Sequence, residues 1–216
     1  MGSKGIIWVK NYHGRQRDLK KASKDAQGFY DVLIGERSFE YANDLACDQD
    51  LQSGGQADDI ADIIFFTGHG RPDALIFGID NKDNGEAHFS DIKLGSKTKW
   101  VVFNACNVLT SESYSNWKGI FEGLHMILGF NTYCRISGER GKKFAELLNQ
   151  EKKLIEAWKI ACEETEREEV EWSCLFAMSE RGNTANDYWN ENRNPIKDSI
   201  KQQERGYDII YYSDSC

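Results

Sequence analysis

The sequence is poor in the features that mark linkers, membranes and export. It contains only two prolines and no low-complexity segment or repeat in 216 residues, so no boundary between domains is indicated. It has no run of about 18 apolar residues that could cross a bilayer. The first ten residues also lack the apolar run of a signal peptide. We therefore expect a single domain over residues 1–216, with no membrane partner, in the cytoplasm unless a leader has been removed.

Positive charge and paired cysteines are also scarce. Lysine and arginine number 27 against 35 acidic residues, giving a net charge of -8, which argues against a nucleic-acid partner. None of the six cysteines forms a Cys-x-x-Cys pair, which favours a reduced compartment. No cysteine or histidine cluster has zinc-ligand spacing, and no Asp-rich loop is typical of calcium sites. We expect no metal and no cofactor, and the oligomeric state stays open.

What the chain does contain is two short apolar runs, each followed by one reactive side chain. Ile63–Phe66 precedes His69, and Trp100–Phe103 precedes Cys106. Such β-branched and aromatic runs, ending at small or turn-forming residues, are typical of strands buried on both faces of a parallel sheet. Side chains at the carboxyl ends of neighbouring strands converge in one crevice, so His69 and Cys106 are expected to meet. A thiol beside an imidazole can perform nucleophilic catalysis.

Strand and helix patterns alternate along the rest of the chain. The other predicted strands are Ile6–Val9, Ala74–Ile79, His125–Phe130, Leu175–Met178 and Tyr207–Tyr212. Helices are predicted over Asp18–Ile34 and Asn116–Leu124 and around Phe144–Leu148 and Leu154–Cys162. The polar segment Glu36–Gln56 is interpreted as an insertion. This alternation predicts an α/β fold, a three-layer sandwich around a mostly parallel sheet.

The two motif blocks resemble those of the caspase-hemoglobinase group of cysteine peptidases, clan CD. In that group four apolar residues precede His-Gly, and four more precede a polar residue, a small residue and Cys; the chain matches this at Ile63–Gly70 and Trp100–Cys106. The segment Trp117–Phe130 is similar to a prokaryotic branch of the group. The resemblance spans roughly residues 5 to 180, and it implies a caspase-hemoglobinase-like fold related to legumains, gingipains and caspases.

The resemblance also implies a role for individual residues. His69 would be the catalytic histidine and Cys106 the nucleophile. The backbone amides of Gly70 and Cys106 would form the oxyanion hole, where fixed dipoles stabilise the developing charge. Asn11, which is followed by Tyr12, would orient the histidine. Whether His69 activates the thiol or protonates the leaving amine stays open at this stage.

The residue two positions before the nucleophile would line the pocket for the substrate side chain. Metacaspases have an acid there, legumains a Glu and caspases a Gln, whereas this chain has the neutral amide of Asn104. His13 and Arg15 lie after the first predicted strand, and in this pocket they would favour an Asn or Asp side chain. Asp73 and Asp80 would instead favour Arg or Lys. Both preferences remain open.

The predicted function is therefore a cysteine endopeptidase that forms an acyl-enzyme at Cys106 and acts on peptides or proteins. One alternative is a catalytically silent caspase-like module that binds or signals. A phosphate-binding loop at Gly68–Gly70 is disfavoured, because Asp73 stands where the Gly-x-Gly-x-x-Gly motif needs its third glycine. The remaining cysteines are predicted to have no role: packing residues at Cys134, Cys162 and Cys174, and exposed thiols at Cys47 and Cys216.

Overall fold

The computed structural model describes residues 2–14, 16–52, 55, 57, 60–78, 85–94, 97–121, 123–179, 182–189 and 207–216. Its strands are β1 (Ser3–Trp8), β2 (Glu36–Ala42), β3 (Ile63–Thr67), β4 (His69–Arg71), β5 (Ala74–Ile76), β6 (Glu86–His88), β7 (Trp100–Asn104), β8 (Met126–Phe130), β9 (Glu171–Ser179), β10 (Gly182–Asn183) and β11 (Tyr207–Ser215). Its α-helices are α1 (Ala22–Val32), α2 (Arg140–Asn149) and α3 (Leu154–Glu163).

A central sheet organises the described part of the chain, with the strand order β10-β9-β8-β7-β3-β1-β2. The strands β2, β1, β3, β7 and β8 run parallel to one another, while β9 pairs antiparallel with β8 and β11 pairs antiparallel with β9. Strands β4, β5 and β6 form a separate antiparallel sheet. The predicted α/β fold with a mostly parallel central sheet is confirmed.

Both faces of the central sheet are covered, which explains why its inner strands are continuously apolar. On one face, residues of β3 and β7 such as Phe65, Trp100 and Val102 pack with α1, α2 and α3. On the other face, Phe66 and Phe103 pack with residues of β5 and of a 3-10 helix, Tyr114–Ile120. Successive residues of one strand thus face opposite cores.

The helices form where apolar residues recur at helical spacing. In α1 the buried positions Ala22, Ala26, Phe29 and Tyr30 follow this spacing, and the chain turns extended at Leu33. Within the part of the chain that the structure describes, no helix is long and apolar enough to cross a membrane.

Three local predictions need correction. The first part of the presumed insertion, Glu36–Ala42, is the edge strand β2; an edge strand needs little apolar surface, and here only Phe39 is buried. The run Ala74–Ile79 contributes β5 to the small sheet instead of a central strand, and its last residue lies outside the described residues. In place of an α-helix over Asn116–Leu124 there is the 3-10 helix Tyr114–Ile120.

Candidate active site

Strands β3 and β7 are direct neighbours in the central sheet and end level with each other. They pair in parallel from Ile63 with Trp100 to Thr67 with Asn104. The first residue after β3, Gly68, donates its backbone N–H to the Asn104 carbonyl at 3.4 Å. The segments that carry His69 and Cys106 therefore leave the sheet from adjacent positions at one edge.

The two segments approach each other closely at Gly70. A Cβ atom at this position would lie 2.8 Å from the Cys106 carbonyl oxygen and 2.5 Å from Cγ1 of Val108. Both distances are shorter than van der Waals contact, so only glycine lets the backbones approach this closely. The structure thus places the histidine segment directly against the cysteine segment.

A tight turn presents Cys106 at the strand end. The N–H of Ala105 bonds to the Phe103 carbonyl at 2.8 Å, and Asn107 adopts a left-handed backbone with φ of 54°. Among the residues that the structure describes, no carbonyl accepts the backbone N–H of Cys106. This amide is therefore available to an incoming oxygen atom.

The thiol of Cys106 has a second cysteine as its neighbour. The two sulfur atoms of Cys106 and Cys134 lie 3.7 Å apart, and the Cys134 backbone N–H is 3.3 Å from the Cys106 sulfur. Hydrogen bonding from the Cys134 thiol lowers the pKa of Cys106 to about 7, against the opposing effect of burial and with help from the Cys134 amide. Cys106 thus ionises more readily than an ordinary cysteine.

His69 is held from two sides. Its Nε2 lies 2.7 Å from the Arg17 carbonyl oxygen, and because a carbonyl only accepts, we assign the proton to Nε2. The Tyr12 ring packs against the imidazole with centroids 4.6 Å apart, and the Tyr12 hydroxyl accepts the backbone N–H of His69 at 2.8 Å. In the neutral ring Nδ1 is then free of a proton and available as a base.

The contact that the structure gives the His69 ring nitrogen is with the Arg17 carbonyl, and the orienting role of Asn11 stays a prediction. Asn11 uses its backbone N–H to bond the Asn43 side chain at 2.8 Å. The segment after it closes into a loop, because the Tyr12 N–H bonds to Asp18 at 3.1 Å. The Arg17 carbonyl that bonds Nε2 of His69 belongs to this loop.

Asn104 lies in the interior instead of in a pocket. Its side chain is fully buried, donating from Nδ2 to Asp25 at 3.1 Å and accepting from Nη1 of Arg140 at 2.5 Å. Arg140 is itself fully buried and also pairs with Glu166. The alternation of the strand puts Asn104 on the same face as Val102, which is the face covered by the α-helices. Asn104 is thus part of a buried network with Asp25 and Arg140, and its role in a substrate pocket stays a prediction.

The other residues considered for a substrate pocket already have partners or lie outside the described residues. The exposed ring of His13 pairs with Asp44 at 2.9 Å, and Asp73 pairs with Arg71 at 2.8 Å. Arg15 and Asp80 lie outside the described residues.

Comparison with known proteins supports the fold. Residues 6–213 match a family described as a domain of unknown function, DUF6345. The chain belongs to this family. A sequence search of curated proteins finds no significant match for this DUF6345 chain.

Among solved structures, the DUF6345 chain resembles a secreted C11 cysteine protease from Bacteroides thetaiotaomicron, determined in complex with an irreversible peptide inhibitor. The TM-score is 0.51 at 11% sequence identity, and the match covers 81% of this chain. The chain spans 66% of the length of that protein, slightly under two thirds. A clan CD enzyme thus has the same kind of fold, and the DUF6345 chain has a caspase-like fold.

Two features of the site in this DUF6345 chain escape prediction from residue types. Cys134 is predicted above to be a packing residue, but its sulfur lies beside the Cys106 sulfur. It follows β8 by four residues, and β8 is the neighbour of β7. The convergence of neighbouring strand ends therefore predicts that these two cysteines lie close together. The Arg17 contact is made by a backbone carbonyl, for which the sequence holds no signal. In the described part of the chain, no group of three potential metal-ligating side chains is present.

Proposed function

We propose that this protein is a cysteine endopeptidase that cleaves peptide bonds through an acyl-enzyme on Cys106. The observation that carries the proposal is the close approach of the two segments at Gly70, where an added Cβ atom would lie 2.8 Å from the carbonyl oxygen of Cys106, a residue whose thiol has a lowered pKa. The caspase-like fold supports it, because the similar solved structure is a cysteine protease bound by a peptide inhibitor. The substrates would accordingly be peptides or proteins.

In the proposed reaction the Cys106 thiolate attacks the peptide carbonyl carbon, and the carbonyl oxygen becomes an oxyanion. The backbone N–H groups of Cys106 and Gly70 are proposed as its donors. Collapse of this intermediate breaks the C–N bond, and the amine leaves with a proton from the His69 ring. Water then attacks the thioester, His69 takes its proton, and the acid is released with Cys106 regenerated.

The proton path follows from the fixed tautomer of His69. Since Nε2 keeps its proton in the bond to Arg17, Nδ1 is the atom that accepts the thiol proton and later delivers it to the amine. A thiol of pKa about 7 needs little help to ionise, so we assign His69 chiefly to protonation of the leaving group.

Finer assignments belong to the same proposal. We place the chain in a prokaryotic branch of the caspase-hemoglobinase group related to legumains and gingipains. We also place it in a reducing compartment such as the cytoplasm, because no two of its six cysteines form a Cys-x-x-Cys pair. For the substrate pocket, His13 and Arg15 would favour an Asn or Asp side chain, whereas Asp73 and Asp80 would favour Arg or Lys.

The test is labelling with peptidyl acyloxymethyl ketones that carry Asn, Asp, Arg, Lys or Leu beside the reactive group, read by intact mass. We expect a single adduct that is lost in Cys106→Ala and slowed by about 100-fold in His69→Ala. His88→Ala is the matched control, since this histidine pairs with Glu86 in the small sheet. It should label at the original rate.

Cleavage of fluorogenic peptides that carry the preferred residue then completes the test. Adducts spread over Cys47 and Cys216, and unchanged in Cys106→Ala, would reject the peptidase and favour a silent binding module. Labelling confined to Cys106 but equally fast in His69→Ala would reject the role given to the histidine.

A further inference from the structure

The proposed reaction uses one thiol, yet the site holds two. Cys134 stands in a segment without helix or strand after β8, and its sulfur lies 3.7 Å from the Cys106 sulfur. Both residues keep part of their surface exposed, but the Cys134 thiol itself is buried, so Cys106 is the thiol that meets a small solute first. In peptide hydrolysis the second sulfur would form no bond.

The two thiols differ in a way that suits them to successive chemical steps. Cys106 is the more acidic thiol, whereas burial raises the pKa of Cys134, and the hydrogen bond and negative charge of Cys106 raise it further. Cys106 therefore reacts first with an electrophile. Once the Cys106 sulfur has lost its charge, part of what keeps the Cys134 thiol protonated disappears, and Cys134 becomes the better nucleophile.

We propose that Cys106 and Cys134 form a reversible disulfide in response to hydroperoxide, so that the site is a redox-controlled thiol pair. The proposal deepens the function proposed above, because the disulfide would block the nucleophile. Its chemistry, however, needs only the two sulfur atoms and an oxidant.

The oxidation balances in two steps. The Cys106 thiolate attacks one peroxide oxygen, the O–O bond breaks, and the sulfur becomes a sulfenic acid while the other oxygen leaves and is protonated to water. The Cys134 sulfur then attacks the Cys106 sulfur and forms the S–S bond. The S–O bond breaks, and the hydroxyl takes the Cys134 proton and leaves as a second water. Two thiols have lost two electrons to one peroxide.

The geometry permits this bond with small movements. A disulfide needs its sulfurs at about 2.05 Å, so the present separation must shrink by about 1.6 Å. Cys106 lies in a turn and Cys134 in an irregular segment, where side-chain rotation and small backbone shifts do not disrupt a helix or a strand. The second neighbouring pair, Cys162 and Cys216, also combines a fully buried thiol with a partly exposed one, so it serves as the internal comparison for selectivity.

Peptide mapping tests the proposal directly on the full chain. The protein is treated with one to five equivalents of hydrogen peroxide, quenched with catalase, capped with N-ethylmaleimide and digested with trypsin without reduction. Cleavage after Lys99, Lys118 and Arg135 separates the two cysteines, giving peptides 100–118 and 119–135 with one cysteine each. We expect most of the protein to yield these two peptides joined by a disulfide, and dithiothreitol to release both.

Two variants sharpen the result. In Cys134→Ser the disulfide cannot form, so we expect peroxide to oxidise Cys106 to sulfinic or sulfonic acid. The fraction of Cys106 that dithiothreitol returns to the free thiol should be at least tenfold smaller than in the protein without the substitution. Cys216→Ser removes the second pair and should leave the 106–134 linkage unchanged. Because the linkage is read in the unmodified protein, the test stands even if one variant folds poorly.

Peroxide treatment that yields only oxygen adducts on Cys106, or a linkage restricted to Cys162 and Cys216, would overturn the proposal. The outcome is independent of the peptidase test. A protein that labels with peptidyl ketones but forms no 106–134 linkage overturns the disulfide alone. A protein that forms the linkage without reacting with any ketone upholds the thiol pair and overturns the peptidase.

Discussion

At the scale of single residues, the pKa of Cys106 depends on its neighbour Cys134. The Cys134 amide donates to the Cys106 sulfur at 3.3 Å, and toward an ionised Cys106 the Cys134 thiol can only donate; this thiol is the larger influence on the pKa. Two donors directed at one sulfur stabilise its negative charge more than burial opposes it. The ionisation of Cys106 is thus the property to measure first.

We predict that alkylation of Cys106 by iodoacetamide has a midpoint near pH 7. A lowered pKa means that the reactive thiolate dominates above this pH, and that the rate falls about tenfold for each pH unit below it. In Cys134→Ala the thiol donor is lost while the backbone donor remains, so the midpoint should move to higher pH. The measurement is the rate at peptide 100–118 by mass spectrometry; an unmoved midpoint would show that Cys134 does not control the pKa.

A second residue-scale prediction concerns two arginines that share Glu166. Arg140 is fully buried and bonds both Asn104 and Glu166, whereas the Arg135 side chain is 57% exposed. Arg140→Met leaves a buried carboxylate and a buried amide short of donors, at a cost of about 3–5 kcal/mol. Arg135→Met should change the free energy of unfolding by about 1 kcal/mol or less. Urea denaturation compares them, and equal losses would contradict the assigned network.

At the scale of elements, the contact between the segments after β3 and β7 defines the site. We predict that Gly70→Ala separates them, because the added methyl group would overlap the Cys106 carbonyl and Val108. Thermal denaturation should show a loss of about 1–3 kcal/mol. Ketone labelling at Cys106 should slow by at least tenfold.

Gly119→Ala is the control for that substitution. Gly119 lies in the 3-10 helix, and a Cβ atom there meets nothing within 4 Å. The change should leave both stability and labelling close to the original values. If Gly70→Ala behaves like Gly119→Ala, the two segments do not need their close approach.

The sequence predicts elements well where the signal is local. The central strands β3 and β7 are recognised because each is a continuous apolar run, and the convergence of parallel strand ends then indicates where their loops lie. The edge strand β2 is missed because it buries only Phe39. The contact of His69 with the Arg17 carbonyl depends on how a loop closes, and side-chain identity holds no information on it.

Asn104 is an instructive intermediate case. Asn104 stands two residues before Cys106, and this position predicts a substrate pocket. It also stands two residues after Val102, which puts its side chain on the same face of the strand, the face covered by the α-helices. Side chains alternate between the two faces of a strand, so the sequence alone can predict that Asn104 faces the interior. Position relative to the strand is therefore the stronger indicator here.

At the scale of the whole molecule, strand pairing and buried hydrogen bonds join parts of the chain that are distant in sequence. Strand β1 lies between β2 and β3, and residues as distant as Ser3 and Asp62 bond side chain to backbone at 2.7 Å. The buried group His125, Asp187 and Trp100 likewise joins three separate segments at 2.7–2.9 Å. The early strands also pair directly with the later ones, because β3 lies beside β7.

We therefore predict that residues 1–216 unfold as one cooperative domain. Urea titrations followed by far-UV circular dichroism and by tryptophan fluorescence should give the same midpoint, because Trp100, Trp117, Trp158 and Trp172 are buried on both faces of one sheet. Two separated transitions would instead show independent domains.

The same strand order has a consequence for a chain that grows from its N-terminus. Parallel neighbours cannot pair through a tight turn, so each central strand waits for a partner made dozens of residues later. Cys106 is synthesised before β8 and Cys134, which complete its surroundings. The nascent polypeptide therefore passes through a stage in which the Cys106 thiol exists without the Cys134 groups that lower its pKa. The acidity of this thiol can be set only after residue 134 has been made and β8 has paired with β7.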